Sequence, residues 1–104
     1  LVAPAAFTTT STETSVDFGA AGTNGGGGSV HVIAASGTSP TLDAKIQTSA
    51  DNASFSDYIT FSQKTAVGSE YKTSTSNPAR YARAVLTIGG STPSFTVAIS
   101  FGQG

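Results

Sequence analysis

Residues 80–101, RYARAVLTIGGSTPSFTVAISF, carry the most regular apolar patterns in the chain. The second half of this segment has the strongest alternation, which consists of Phe95, Val97, Ile99 and Phe101. The first half has a similar alternation, made of Ala82, Ala84, Leu86 and Ile88. Because successive side chains of a strand point to opposite faces, each half predicts a β-strand with a packed face. The intervening GGSTP at 89–93 is typical of a turn.

The same alternation recurs through the rest of the chain, at 12–18, 29–35, 41–48, 55–61 and 70–75. It is cleanest at 41–48, where Leu42, Ala44 and Ile46 are expected to point inward. Clusters of Gly, Pro, Ser and Asn separate these segments, including SGTSP at 36–40. About seven short strands predict an all-β, antiparallel β-sandwich of immunoglobulin-like or jelly-roll type.

Residues 12–104 are expected to form this single sandwich domain, since 104 residues suit one core. The predicted core residues are Val16, Phe18, Val32, Leu42, Ile46, Phe61, Leu86, Val97, Ile99 and Phe101.

Residues 1–11 are expected to form an extended N-terminal arm, with room for a short strand around Phe7. The segment contains Pro4 and three consecutive threonines, which give little reason for an independent element. Its apolar residues Leu1, Val2 and Phe7 are candidate partner-binding residues. Such an arm can dock on a neighbouring subunit through main-chain hydrogen bonds, and a chain without it is expected to fold normally.

Composition excludes several classes of function. The chain has 15 Ser and 16 Thr but only 11% charged residues, with a net charge of −1. Its five basic residues are scattered, whereas phosphate neutralisation needs a basic patch, so no nucleic-acid partner is expected. With no cysteine there is neither a disulfide framework nor a thiolate metal site. No apolar run reaches the length of a membrane span, so no membrane partner is expected.

The candidate catalytic and metal-binding residues favour ordinary structural roles. The glycine-rich stretch 19–28 lacks the Lys of a phosphate loop, and a strand pattern follows it instead of a helix. His31, the single histidine, lies in a strand alternation. Asp51, Asn52 and Asp57 share one turn and could offer oxygens to Ca²⁺, but Asp-Asn is also common turn chemistry. We therefore expect no catalysis, no cofactor and no metal.

The aromatic residues divide into core and surface candidates. Phe18, Phe61, Phe95 and Phe101 fall on predicted inner faces, whereas Tyr58, Tyr71 and Tyr81 are candidates for exposed contact with a partner. A carbohydrate-binding module would use such rings as a platform, although the chain has no tryptophan.

Three segments together resemble a β-domain of tailed-bacteriophage structural proteins. They are 15–26 (SVDFGAAGTNGG), 44–61 (AKIQTSADNASFSDYITF) and 77–101 (NPARYARAVLTIGGSTPSFTVAISF). This family includes capsid decoration proteins and the C-terminal domain of tail-tube proteins. The resemblance covers about residues 12–101, with Phe55 where the family often has tryptophan. Since the family's role is structural, the resemblance assigns no catalytic residues.

The resemblance implies a non-enzymatic virion structural protein, first of all a capsid decoration, or cement, protein on the outer surface of the particle. Its partners would be the major capsid protein or other virion subunits, with homo-oligomers on the particle. A tail-tube or tail-associated surface domain is the alternative, and a carbohydrate-binding module is a further one. The chain begins Leu1-Val2 and contains no methionine. A complete gene would favour decoration, and a piece of a longer tail-tube protein would favour the tail.

Overall fold

The computed structural model describes residues 2–103, with side chains described from residue 5 to residue 103. It is built of antiparallel strands: β1 (Val2–Phe7), β2 (Ser11–Thr12), β3 (Val16–Asp17), β4 (Gly26–Ser49), β5 (Ser56–Thr60), β6 (Gly68–Ser74) and β7 (Tyr81–Gln103). Within the described residues there is no helix, and so none that could cross a membrane. The predicted all-β, antiparallel, sandwich-like fold of about seven strands is confirmed.

The long strands β4 and β7 organise the molecule. They pair with each other along almost their whole length, from Gly26 opposite Gln103 to Ser49 opposite Tyr81. A straight strand of 24 residues would extend roughly 80 Å, but the longest dimension of the molecule is 42 Å. Both strands therefore bend sharply in the middle, and the sheet folds back on itself.

The bend lies where sequence analysis predicted turns, at 36–40 and 89–93. Gly37 and Gly90 have φ angles of 115° and 105°, and Ser39 and Thr92 also have positive φ. The ladder shifts register around Thr38, as expected where bulges let strands pass from one layer of a sandwich to the other. The prediction that these clusters end strands is wrong. They bend β4 and β7 together, so the predicted strands 29–35 and 41–48 are one strand, as are 80–88 and 94–101.

The bend divides the sheet into two layers. The first layer consists of β1, residues 94–103 of β7, residues 26–36 of β4, and β6. The second layer consists of β2, β3, residues 81–89 of β7, residues 41–49 of β4, and β5. The layers pack face to face: the ring of Phe101 meets the edges of Phe18 and Tyr58, with centroids 5.6 and 5.8 Å apart.

The core lies between the layers and draws on both. Its buried members are Val30, Val32, Leu42, Ala44, Ile46, Ile59, Phe61, Ala82, Ala84, Leu86, Phe95, Val97 and Ile99. Burial of each large apolar side chain contributes about 1.5–3 kcal/mol. Seven of the predicted core residues are buried, and Phe18 and Phe101 are half-buried against the core. Val16 is 40% exposed, because its strand is only two residues long and lies at the sheet edge.

The N-terminal segment is extended, but it pairs within the chain. In β1, Ala5, Ala6 and Phe7 lie opposite Val97, Thr96 and Phe95, and Phe7 is half-buried against the core. Farther along, the predicted strand 12–18 is present as the short strands β2 and β3, both on β7. Residues 2–7 thus form an edge strand of the first layer, where the sequence analysis expected an arm that docks on a neighbour.

Candidate functional site

Strand alternation places a set of small residues on the outer surface of the first layer. This surface is formed by Gly27, Ser29, His31 and Ile33 of β4, by Thr96, Ala98, Ser100 and Gly102 of β7, and by Ser69, Tyr71 and Thr73 of β6. Their neighbours in sequence, such as Val30 and Ile99, are buried on the inner face. Most of these residues on the two central strands are glycine, serine or alanine. Their small side chains cover little of the backbone, so the outer surface is recessed along β4 and β7.

An open groove of about 630 Å³ lies at the end of this surface farthest from the bend. It is lined by Asn24, Gly26, Gly27, Gly28, Tyr71, Thr73, Ser74, Thr75, Ser100, Phe101, Gly102 and Gln103. None of these side chains is charged. Gly102, which pairs with Gly27, leaves open space on this outer surface, whereas a Cβ on Gly26 or Gly28 would point to Tyr58 or Ile46 on the inner side.

Tyr71 forms one side of the groove and is 69% exposed. It pairs with Ser29 in the β6–β4 ladder, and its side chain crosses diagonally to Gly27. A Cβ atom on Gly27 would lie 2.8 Å from the Tyr71 hydroxyl. Gly27 therefore makes room for the ring, which rests beside the neighbouring strand.

Hydrogen bonds hold the surroundings of the groove in place. Gly25 N–H donates to Asn77 Oδ1 at 3.1 Å, and Gln103 Nε2 donates to Ala20 O at 3.1 Å. The hydroxyls of Ser29 and Ser100 are 2.5 Å apart on the outer surface. The glycine-rich stretch is thus tied to residues that follow β6 and end β7. As predicted, it leads into a strand and not into a helix.

The predicted partner-binding residues with described side chains do not come together. Among them, Tyr71 alone lines the groove. Tyr58 is half-buried against Phe101, and its hydroxyl donates to Ser76 O at 2.5 Å. Tyr81 is half-buried in the second layer, with the Arg80 guanidinium 5.2 Å from its ring centroid.

The N-terminal candidates lie elsewhere. Phe7 packs against the core from β1. The backbone of Val2 pairs with Ile99 in the same ladder. Leu1 and the side chain of Val2 lie outside the described residues.

The outer surface of the second layer carries connected polar side chains. Arg83 Nε donates to Gln47 Oε1 at 2.9 Å, Gln47 Nε2 donates to Asp57 Oδ1 at 2.8 Å, and Lys45 Nζ lies 3.2 Å from the same carboxylate. The Arg83 guanidinium also lies 3.9 Å from the ring centroid of Phe55. The Gln47 amide, followed by Lys45, lowers the pKa of Asp57. These side chains bond one another, although exposed pairs contribute little stability.

A second ion pair connects β3 to the start of β7. Arg80 binds Asp17 through two hydrogen bonds, of 2.7 and 2.8 Å, and these bonds lower the pKa of the Asp17 carboxyl. Asp17 and Arg80 lie 63 positions apart in the sequence, so only the fold brings them together.

The possible cation site is a hydrogen-bonded turn. Asp51 Oδ1 accepts from Ser54 N–H, Ala53 N–H and the Ser49 hydroxyl at 3.0, 2.9 and 2.8 Å, which lowers the pKa of Asp51 to about 2. Asp57 is bonded to Gln47 and Lys45 instead. Across residues 2–103, no group of three or more His, Asp or Glu side chains could hold a metal ion.

His31 lies exposed on the outer surface of the first layer, where its cross-strand neighbours are Ala98 and Ser69. In the described part of the chain, its side chain makes no hydrogen bond to a carboxylate. An exposed strand histidine is what the alternation predicted.

The groove itself was missed by sequence analysis. Its one visible signal was the run of four glycines at 25–28 at the start of a strand. In comparisons with known proteins, no protein-family model and no curated protein matches the chain.

Proposed function

We propose that the chain is a non-enzymatic virion structural protein of a tailed bacteriophage, a capsid decoration protein on the outer surface of the shell. Its partners in this proposal are the major capsid protein or other virion subunits, including further copies of itself. The observation that carries the proposal is the position of β1 at the edge of the sheet.

An open strand edge suits binding to neighbouring subunits. In the described sheet, β1 pairs with β7 on one side, and no strand pairs with its other side. Unpaired N–H and C=O groups along such an edge can accept a strand from another chain, and main-chain hydrogen bonds then supply the affinity. Thus β1 can serve the docking role expected of residues 1–11 while it remains part of its own sheet.

Exposed apolar residues lie on the same layer near the bend. Ile33 is 53% exposed and Val67 is 65% exposed. They are neighbours of Val32 and Gly68, which pair in the β4–β6 ladder. They lie towards the opposite edge of this layer from β1, and they offer further apolar surface to a protein partner.

The resemblance also supports the proposal. Its three segments fall on β3 and the glycine-rich loop, on the second half of β4 with β5, and on β7. They include nearly all of β7 and the second half of β4, which pair in the second layer.

Immunogold electron microscopy tests the proposal on particles of the phage whose genome encodes the chain. Antibody against the chain is expected to label the head. Label on the tail would favour the tail-tube alternative, and particles without label would contradict both virion assignments.

Co-sedimentation with undecorated shells tests the edge strand. Ala6→Lys places a charge on β1 and should weaken binding, since charged residues block pairing at sheet edges. Ala53→Lys, in the exposed turn after β4, is the matched control and should bind like the wild type. Equal binding by both variants would contradict a role for β1.

A purified His31→Ala variant tests the non-enzymatic role, because loss of a measurable turnover with the fold intact would contradict it.

A further inference from the structure

The groove on the first layer combines an exposed aromatic ring with hydrogen-bonding side chains and carries no charge. Its lining consists of glycines, hydroxyl and amide side chains, the ring of Tyr71, and Phe101, whose ring packs between the layers. We propose that this groove is a binding site for a neutral carbohydrate chain, a role separate from docking on a shell.

The ring of Tyr71 is placed to stack against a sugar. The C–H groups on one face of a pyranose are apolar, and they pack against aromatic rings that are accessible and held in position. Tyr71 meets both conditions, because it is 69% exposed and its hydroxyl end rests beside Gly27. A tyrosine also offers an apolar ring and a polar tip in one side chain.

Polar groups around the ring are available to sugar hydroxyls. In the described part of the chain, the side chains of Asn24, Thr73 and Thr75 make no hydrogen bond. Gln103 uses its amide Nε2 for Ala20 O, so its Oε1 can still accept a hydrogen bond. Both donors and acceptors are therefore present, as hydroxyl groups require.

The size and charge of the groove favour a neutral glycan over other ligands. Its volume of about 630 Å³ lies within the usual range for ligand sites. A single-stranded nucleic acid would need basic side chains along its backbone, and none lines the groove. The open shape allows a longer chain to pass through, with a short stretch of residues in contact.

The site is also separate from the proposed docking surface. Tyr71 lies on β6, at the opposite edge of the first layer from β1. Gly27 and Ile33 are six residues apart on β4, which corresponds to roughly 20 Å. Loss of glycan binding would therefore leave shell binding intact, and the two proposals can fail independently.

A glycan array tests the proposal with the full chain. The array should carry neutral glucans, mannans and galactans beside sialylated and sulfated glycans, and binding should be confined to neutral members. Titration of the best neutral oligosaccharide, followed by ¹⁵N–¹H NMR, should shift the amides of residues 26–28 and 71–75.

Two variants should weaken this binding without unfolding the protein. Tyr71→Ala removes the ring and should weaken binding at least about tenfold, as expected for an aromatic anchor. Gly27→Ala should displace the Tyr71 side chain, since the new Cβ would lie 2.8 Å from its hydroxyl. Tyr71→Phe keeps the ring and should retain most of the affinity.

Matched controls are available for both changes. Tyr81→Ala removes a tyrosine from the second layer, and Gly68→Ala adds a Cβ that meets nothing within 4 Å. Both should bind like the wild type, and thermal melts should show that all variants are folded. The proposal is overturned if the wild type binds no neutral glycan at millimolar concentration, if it prefers charged glycans, or if Tyr71→Ala binds as well as the wild type.

Discussion

The two layers share the long strands β4 and β7, yet the side chains on their outer surfaces differ in their hydrogen-bond and ion-pair partners. On the second layer, Arg83, Gln47, Asp57 and Lys45 are connected to one another. On the first layer, glycines and small residues leave the strands bare, and Tyr71 is exposed beside a groove. A surface whose polar groups bond one another has little left for a ligand. For this reason the proposed binding site lies on the first layer.

The two inner faces, in contrast, should be equivalent, because they share one core. Ile99→Ala in the first layer and Leu86→Ala in the second should each lower the free energy of unfolding by about 2–5 kcal/mol. Urea unfolding followed by circular dichroism measures both. Phe101→Ala, at a half-buried position, should cost less than Ile99→Ala. If only one layer responded, the layers would not form a single cooperative unit.

The bend joins the two layers, and its glycines should be the next most sensitive positions. Gly90 has a φ of 105°, and a Cβ there would lie 2.6 Å from Ser39 O. Gly90→Ala should therefore cost about 1–3 kcal/mol in unfolding free energy. Gly68→Ala is the control, with an expected change within about 0.5 kcal/mol. Equal effects would mean that the bend tolerates a side chain.

The edge strand β1 distinguishes the structure from the sequence-based expectation of an arm. Phe7→Ala should lower the unfolding free energy by about 1–2 kcal/mol, less than a fully buried phenylalanine would. Deletion of residues 1–11 should cost at least as much, whereas a free arm could be removed without loss. Ile33→Ala removes an exposed apolar side chain from the same layer and should have an effect within about 0.5 kcal/mol. If the deletion variant were as stable as the full chain, the result would support the prediction of a free arm.

Acid should have the smallest effect on stability. It should act through the carboxylates of the second layer and of the turn that follows β4. The pKa of Asp51 is lowered from 3.8 to about 2 by the N–H groups of Ser54 and Ala53 and by the Ser49 hydroxyl. A lowered pKa contributes stability that is present above about pH 4 and is lost as the pH falls towards 2. Urea unfolding at a series of pH values should show this loss, and Asp51→Asn should make it less steep. Identical pH profiles for the variant and the wild type would contradict the role of Asp51.

Much of the fold could be predicted from the sequence, because alternation is a local property of a strand. The inward positions Leu42 and Ile46 and the apolar face of Val97 and Ile99 follow from period two alone. Val16 shows the limit: it has the right pattern, but a short edge strand does not bury it.

The candidate site was less accessible to sequence reasoning. Of the predicted partner-binding residues whose side chains the structure describes, Tyr71 alone lines the groove. Tyr58 and Tyr81 are also tyrosines in strands, but both are half-buried, Tyr58 by neighbours such as Phe101, which comes from the other layer and from a distant part of the chain. Exposure of a ring depends on those neighbours, which no local pattern reveals.

The amino-acid sequence by itself determined the all-β class, the apolar face of each strand and the neutral, hydroxyl-rich surface. These features depend on the nature and spacing of neighbouring residues. Tertiary structure alone decided that the Gly and Pro clusters at 36–40 and 89–93 bend two long strands instead of reversing them. Those residues permit positive φ in either case. Whether each cluster bends its strand or reverses the chain depends on whether the paired strand bends at the same place. This can be known only from the pairing of the two strands in the sheet.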